Sequence, residues 1–153
     1  MWIVFKVVHI LAILLGVGAS LGPEILMFRI ARSADVRAIR TGFGLAAPLL
    51  KAAPALFMLG LSTGLATVWS GGFSFSAPWL LISYALFGLM IFLNLRFRGP
   101  WVKRVLLLAN ASPEAPSEPL LAALRDPRAR IHMLSAPLAL LAQVILMVVK
   151  PFS

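Results

Sequence analysis

The sequence predicts an all-α membrane protein: a four-transmembrane-helix bundle with a cytoplasmic interfacial helix between the third and fourth spans. Three observations predict it. Hydrophobic residues fill 61% of the 153 positions and charged residues 12%, and mean hydropathy is +0.96. A soluble domain of this length needs far less apolar surface. The apolar residues gather in four long runs, each close to the about 20 residues that cross a bilayer at about 1.5 Å per residue. The net charge is +9, and the cations cluster in two connections between runs. That clustering holds loops on the cytoplasmic side and meets anionic headgroups. It is not the dispersed basic surface of a nucleic-acid-binding domain.

Residues 4–28 form the first span. Its only early cation is Lys6, and Arg29 and Arg32 follow it. Gly18-Ala19-Ser20 looks loosely like a cleavage site, but the long run with basic residues behind it reads as a retained helix. At about 100° per residue, Lys6, His9, Gly16, Ser20 and Glu24 fall in a stripe roughly 60° wide. Ionisable residues on a spanning helix usually face a bundle interior or a water cavity.

Arg29 to Arg40 carries Arg29, Arg32, Arg37 and Arg40 against Asp35. Its charge places it in the cytoplasm, and the N-terminus outside. Ser33 or Asp35 is suited to cap a helix here. Residues 41–69 form the second span. Pro48 and Pro54 kink it, and Lys51 lies between them. Gly60 and Gly64 make a small-xxx-small pair, and Ser62, Thr63 and Thr67 continue that close-packing theme.

Ser70 to Ser76 is uncharged and suits the outer face. Trp69 and Trp79 flank it as interfacial aromatics. Residues 77–97 form the third span, closed by Arg96 and Arg98 at the inner surface. Pro100 to Ala109 reads as the interfacial helix, with Trp101, Val105 and Leu108 toward lipid and Lys103 and Arg104 toward headgroups. Pro113 to Pro119 is a loop by composition. Leu120 to Arg130 is a short basic lead-in interrupted by Pro127. Residues 131–149 form the fourth span, which leaves both termini outside. The whole chain, 1–153, is a single integral membrane domain.

Much chemistry is excluded. The chain has no cysteine, hence no disulfide, thiolate metal site or cysteine nucleophile. It has no Ser-His-Asp order, Walker loop, dinucleotide fingerprint or zinc helix motif. Five acidic residues in all leave no catalytic carboxylate pair in the membrane, so the balance is against an enzyme.

Several short motifs occur in a recognisable order: Phe5-Lys6-Val7-Val8-His9-Ile10-Leu11, then Arg32-Ser33-Ala34-Asp35-Val36, Pro54-Ala55, Thr63-Gly64, Trp79-Leu80 and Leu146-Met147-Val148-Val149-Lys150-Pro151. Together they resemble, over nearly the whole chain, a bacterial family of predicted integral membrane proteins, domain of unknown function 2269. The resemblance implies a multi-pass protein of the bacterial cytoplasmic (inner) membrane with no established activity. That family is distantly similar to the copper-resistance protein D-like superfamily, which includes a heme-dependent protoporphyrinogen oxidase family. In those relatives a first-helix histidine in a His-Ile motif is associated with heme or metal, and the carry-over here reaches only His9. The family pattern has an acidic residue near the start of the second span. Lys51 stands there instead, which weakens any carried-over proton-relay or cation site.

Helical rise places His9 roughly 9 Å below the outer surface, with Ser62, Thr63, Tyr84 and Gln143 at similar or somewhat greater depth. In one reading His9 ligates heme b or copper through one ring nitrogen, with Tyr84 nearby and Met147 or Met58 as a softer second ligand. In the other it is an interhelical hydrogen-bonding group. His132 is about 20 Å away along the membrane normal, so the two histidines do not share one heme. Glu24, Lys51, Asn94 and His132 gather on the inner half, and a Glu24–Lys51 ion pair is expected there. It is a cytoplasm-facing vestibule, a structural salt bridge, or two charges that snorkel separately to the headgroups. Gly16, Gly18, Gly22, Gly60 and Gly64 are helix-packing positions; Gly18 and Gly22 suit another helix, a homodimer or a partner subunit. Three function classes follow: a heme- or metal-associated protein acting through His9, a non-catalytic scaffold or accessory subunit, and a small dimeric transporter.

Overall fold

The computed structural model describes residues 1–151, and of these Arg130 and His132 by backbone only. The described residues form helices and turns. Helix α1 is Trp2–Ser33, α2 is Val36–Ser70 and α3 is Pro78–Leu93. A π-helical turn, Asn94–Arg98, joins α3 directly to α4, Gly99–Ala111. A short α5, Glu118–Leu124, precedes α6, Pro127–Val149. Four stretches are long and apolar enough to cross a membrane: Trp2–Ser33, Val36–Ser70, Pro78–Ala111 and Glu118–Val149.

Local chemistry sets the turns. Ala34 takes a left-handed conformation and stops α1. Asp35 caps α2 by accepting from the Arg37 and Ala38 amides at 2.8 and 3.1 Å, filling donors that a helix start leaves open. Ser117 caps α5 and Asp126 caps α6 in the same way. Pro127 therefore opens α6 instead of interrupting a helix, because its missing N–H costs nothing in the first turn.

The helices run longer than the expected spans. At about 1.5 Å per residue α1 is about 48 Å long and α2 about 52 Å, against about 30 Å of hydrocarbon. Both helices carry arginines at one end, which is the end of α1 and the start of α2. There the tightest core sits, built on Met27, Val36, Ile39, Phe43, Val105 and Leu120, all almost fully buried. Elsewhere only 11 to 17% of each apolar window is buried, as suits helices that meet lipid, where no hydrophobic force drives helix onto helix.

This core corrects the expected interfacial helix. Trp101 and Val105 do not turn toward lipid; both are buried, and Leu108 packs against the same core. The Trp101 ring stacks on Phe28 at 5.3 Å and meets Phe43 at 5.6 Å. Its Nε1 donates to the Ala123 carbonyl at 2.9 Å. The apolar face of α4 is thus spent on α1, α2 and α5. Arg40 of α2 secures its end by donating to the carbonyls of Ala109, Ser112 and Pro113, the acceptors a helix C-terminus leaves open.

At the opposite end Trp79 is buried while Trp69 is exposed, so only Trp69 has the exposure expected of an interfacial ring. Phe73 meets Trp79 edge-on at 6.2 Å, and the Lys150 ammonium lies 4.2 Å from the Phe73 centroid. The loop and the end of α6 are joined by this cation–π contact.

Candidate functional site

Helices α1 and α2 pack along most of their length. Along α1 the inward stripe is Ala12, Gly16, Pro23–Glu24, Met27 and Ala31, all buried, with His9 half-buried above it. The polar stripe legible in the sequence is therefore the face that packs inward from His9 to Glu24. Lys6 departs from it: it is exposed and its ammonium lies 5.0 Å from the Trp2 ring.

The strongest polar centre is near the basic end of this stripe. Glu24 is 3% exposed and Arg98 is 7% exposed. Arg98 Nη1 lies 3.7 Å from Glu24 Oε2 and donates to Ser20 Oγ at 2.7 Å. Two buried charges in a spanning bundle are costly and persist when paired. The expected partner, Lys51, is not the one used: it is exposed on α2. Asn94 joins the group at the wall of the adjoining cavity. His132, expected beside it, falls outside the described side chains.

In the sequence Arg98 reads only as a residue that closes the third span at the inner surface. Two features turn it inward. Pro100 lacks an N–H and its ring would crowd the carbonyl four residues back. The chain takes up the mismatch as a π turn, in which the Gly99 amide donates to the Asn94 carbonyl. The wider turn adds a residue to the register, a device frequent at functional sites. The sequence signal was the Gly99-Pro100 pair, which reads equally well as a helix end.

A cavity of about 230 Å³ adjoins the pair between α1, α2, α3 and α6. Its polar wall is Ser20, Asn94 and Arg98. Its apolar wall includes Phe57, Phe87, Met90 and Leu140. Pro23, Pro48, Pro54 and Pro137 stand inside α1, α2 and α6, which run on through them, each leaving a carbonyl of its helix without its usual donor.

A second polar feature lies toward the other end. His9 Nδ1 is 2.7 Å from the Gly60 carbonyl oxygen. A carbonyl only accepts, so Nδ1 carries the hydrogen and, in the neutral ring, Nε2 keeps its lone pair. Gly64 makes room for the ring: a Cβ there would stand 2.9 Å from His9 Nδ1. Gly60 likewise faces Ile13, and Gly16 faces Phe57. A Cβ at Gly18 or Gly22 would meet open space, so among the described residues neither glycine accommodates a neighbouring helix.

The other residues of the expected outer layer make the following contacts. Ser62, Thr63 and Thr67 donate to carbonyls of their own helix, four residues back, and make no interhelical bond among the described residues. Tyr84 and Met147 pack against the Val68, Trp79 and Leu80 cluster, and His9 packs on Gly60 and Gly64. Tyr84 Oη and Gln143 Oε1 are buried without a hydrogen-bond partner among the described residues. Met58 is half exposed. No group of three His, Cys, Asp or Glu able to hold a metal ion occurs among the described residues.

A family model described as a predicted integral membrane protein, domain of unknown function 2269, matches residues 3–151. No curated protein and no solved structure matches the chain.

Proposed function

The chain belongs to that family of predicted integral membrane proteins, and within it we propose that this protein binds and transfers a small amphiphile with an acidic head. The observation that carries the reading is the buried Glu24–Arg98 pair, whose Arg98 stands in the wall of the cavity. Ionisable residues inside a bundle commonly mark substrate or ion paths. Ser20, Asn94 and Arg98 supply donors and a positive charge at one side, and the phenylalanines and Met90 an apolar surface at the other. Glu24 balances Arg98 when no ligand is present; an anionic head takes a share of the guanidinium donors on binding. The volume, about 230 Å³, is below the about 300–1,000 Å³ of pockets for drug-sized ligands, which restricts the body of the ligand to a short chain. Gly18 and Gly22, exposed and with open space where a Cβ would stand, offer the surface by which two copies complete a transporter.

We place the protein in the bacterial inner membrane with both termini outside, because the arginine-rich helix ends all lie on one side of the bundle. Octanesulfonate, a permanent anion with a short tail, tests the function. Proteoliposomes take it up, and Leu140→Trp, which fills the cavity, abolishes uptake while the protein stays folded. Equal uptake by Leu140→Trp, or by empty liposomes, overturns the reading.

A second reading rests on His9. Its Nδ1–H bond to Gly60 fixes the ring and leaves Nε2 available, the usual arrangement of a metal-ligating histidine. Such a nitrogen would hold heme b or copper as one ligand. Heme or copper would bring redox chemistry; His9 would supply the ligand nitrogen and Gly60 its orientation. Protein purified after growth with heme precursors shows a Soret band lost in His9→Ala if this holds. A colourless protein free of copper removes it.

A further inference from the structure

We propose that the groove between the end of α1 and the α5–α6 corner is a binding site for one anionic phospholipid of the surrounding bilayer. The groove is separate from the Glu24–Arg98 cavity and has a volume of about 680 Å³. Phe28, Leu121, Leu124 and Leu134 line it, together with Arg29, Arg32 and Arg125.

The register of these residues is the argument. On α1, Ile25, Phe28, Arg29 and Arg32 stand three or four apart and share one face. The apolar members lie deeper in the helix and the arginines nearer its end. From the other wall, α6 contributes Met133 and Leu134, and Arg125 lies just before that helix begins. Both walls therefore run from apolar, toward the middle of the membrane, to cationic, at its boundary. A phospholipid has the same polarity over the same distance: acyl chains deep, phosphate at the surface. Basic pockets between spanning helices at the cytoplasmic side commonly hold such headgroups.

Charge complementarity specifies the occupant. Arg29, Arg32 and Arg125 are exposed. Among the described residues none of the three has a carboxylate within ion-pair distance, whereas Arg37 pairs with Glu114 and Arg98 with Glu24. Three guanidinium groups around one groove match a phosphodiester and oppose a cationic or net-neutral headgroup. The apolar lining gives the acyl chain a protein surface on two sides, which a free phosphate would leave empty.

Native mass spectrometry of the full chain released from nanodiscs of equal phosphatidylglycerol and phosphatidylcholine is the test. One phosphatidylglycerol per chain stays bound. Arg29→Gln, Arg32→Gln and Arg125→Gln each weaken retention about fivefold, and the triple variant about a hundredfold. The control triple variant Arg96→Gln, Lys103→Gln, Arg104→Gln removes the same charge elsewhere and leaves retention unchanged. Leu124→Trp narrows the groove with every arginine in place and also lowers retention, with far-ultraviolet circular dichroism reporting that it folds. Equal loss in both triple variants, equal retention of phosphatidylcholine, or displacement of the lipid by glycerol phosphate overturns the proposal. None of these readouts depends on octanesulfonate uptake or on His9.

Discussion

Arg98, placed on a π turn, reaches back to Glu24 on α1 with Nη1 3.7 Å from Oε2, and both side chains are more than nine-tenths buried. The two residues are 74 positions apart in sequence. Removing one partner strands the other charge in a poorly solvated place, which typically costs about 3–5 kcal/mol.

The first prediction is a double-mutant cycle on this pair. Glu24→Gln and Arg98→Gln each destabilise the protein by about 3–5 kcal/mol, while the double variant loses much less than their sum. Reversible unfolding in mixed micelles measures it. Simple additivity would show that the two charges do not depend on each other.

Pro100 is predicted to act on Arg98 at a distance. Pro100→Ala restores an N–H and permits a regular helix. Loss of the extra residue in the turn rotates Arg98 by about 100° around the helix axis. Octanesulfonate uptake then falls although no cavity residue has changed. Unaltered uptake would mean that the π turn does not orient Arg98.

His9 and Gly64 should be coupled. Gly64→Ala brings a methyl group to 2.9 Å from His9 Nδ1, and overpacking of this kind costs about 1–3 kcal/mol. In a His9→Ala background the same substitution costs little, because the ring it displaces is gone. Chemical or thermal unfolding of the four proteins decides this, and an identical penalty in both backgrounds would contradict the packing.

Arg40 is predicted to be irreplaceable by lysine. Its guanidinium serves the carbonyls of Ala109, Ser112 and Pro113 at once. Hydrogen bonds from a charged donor contribute about 1.5–3 kcal/mol, and an ammonium cannot copy the fork. Arg40→Lys and Arg40→Ala both speed proteolysis between Ser112 and Ser117. Full protection in Arg40→Lys would reduce the contact to simple charge.

Topology is testable because the chain has no cysteine. Single cysteines at Ser74 and Ala115, both exposed, report the two ends of the bundle. An impermeant maleimide labels Ser74→Cys in intact cells whose outer membrane has been made permeable, and labels Ala115→Cys only after lysis. The reverse pattern would invert the orientation proposed above.

Hydropathy, proline position and charge clustering by themselves determined four apolar helices, their order and the basic connections. These are local properties: about 20 apolar residues demand a helix in lipid whatever surrounds them. The inward stripe of α1 from His9 to Glu24 was equally legible, because it needs only the helical repeat. What only the tertiary structure decided was partnership. A sequence ranks Lys51 and Arg98 by depth, and both are cations within reach of the inner half. Which one meets Glu24 depends on the register of α3 against α1, set by the turn that Pro100 imposes. The apolar face of α4 was misplaced for a related reason. Periodicity reports that a face is apolar, not whether lipid or protein covers it. The added length of α1 and α2 beyond the hydrocarbon supplies the protein, and Trp101 turns inward against Phe28 and Phe43.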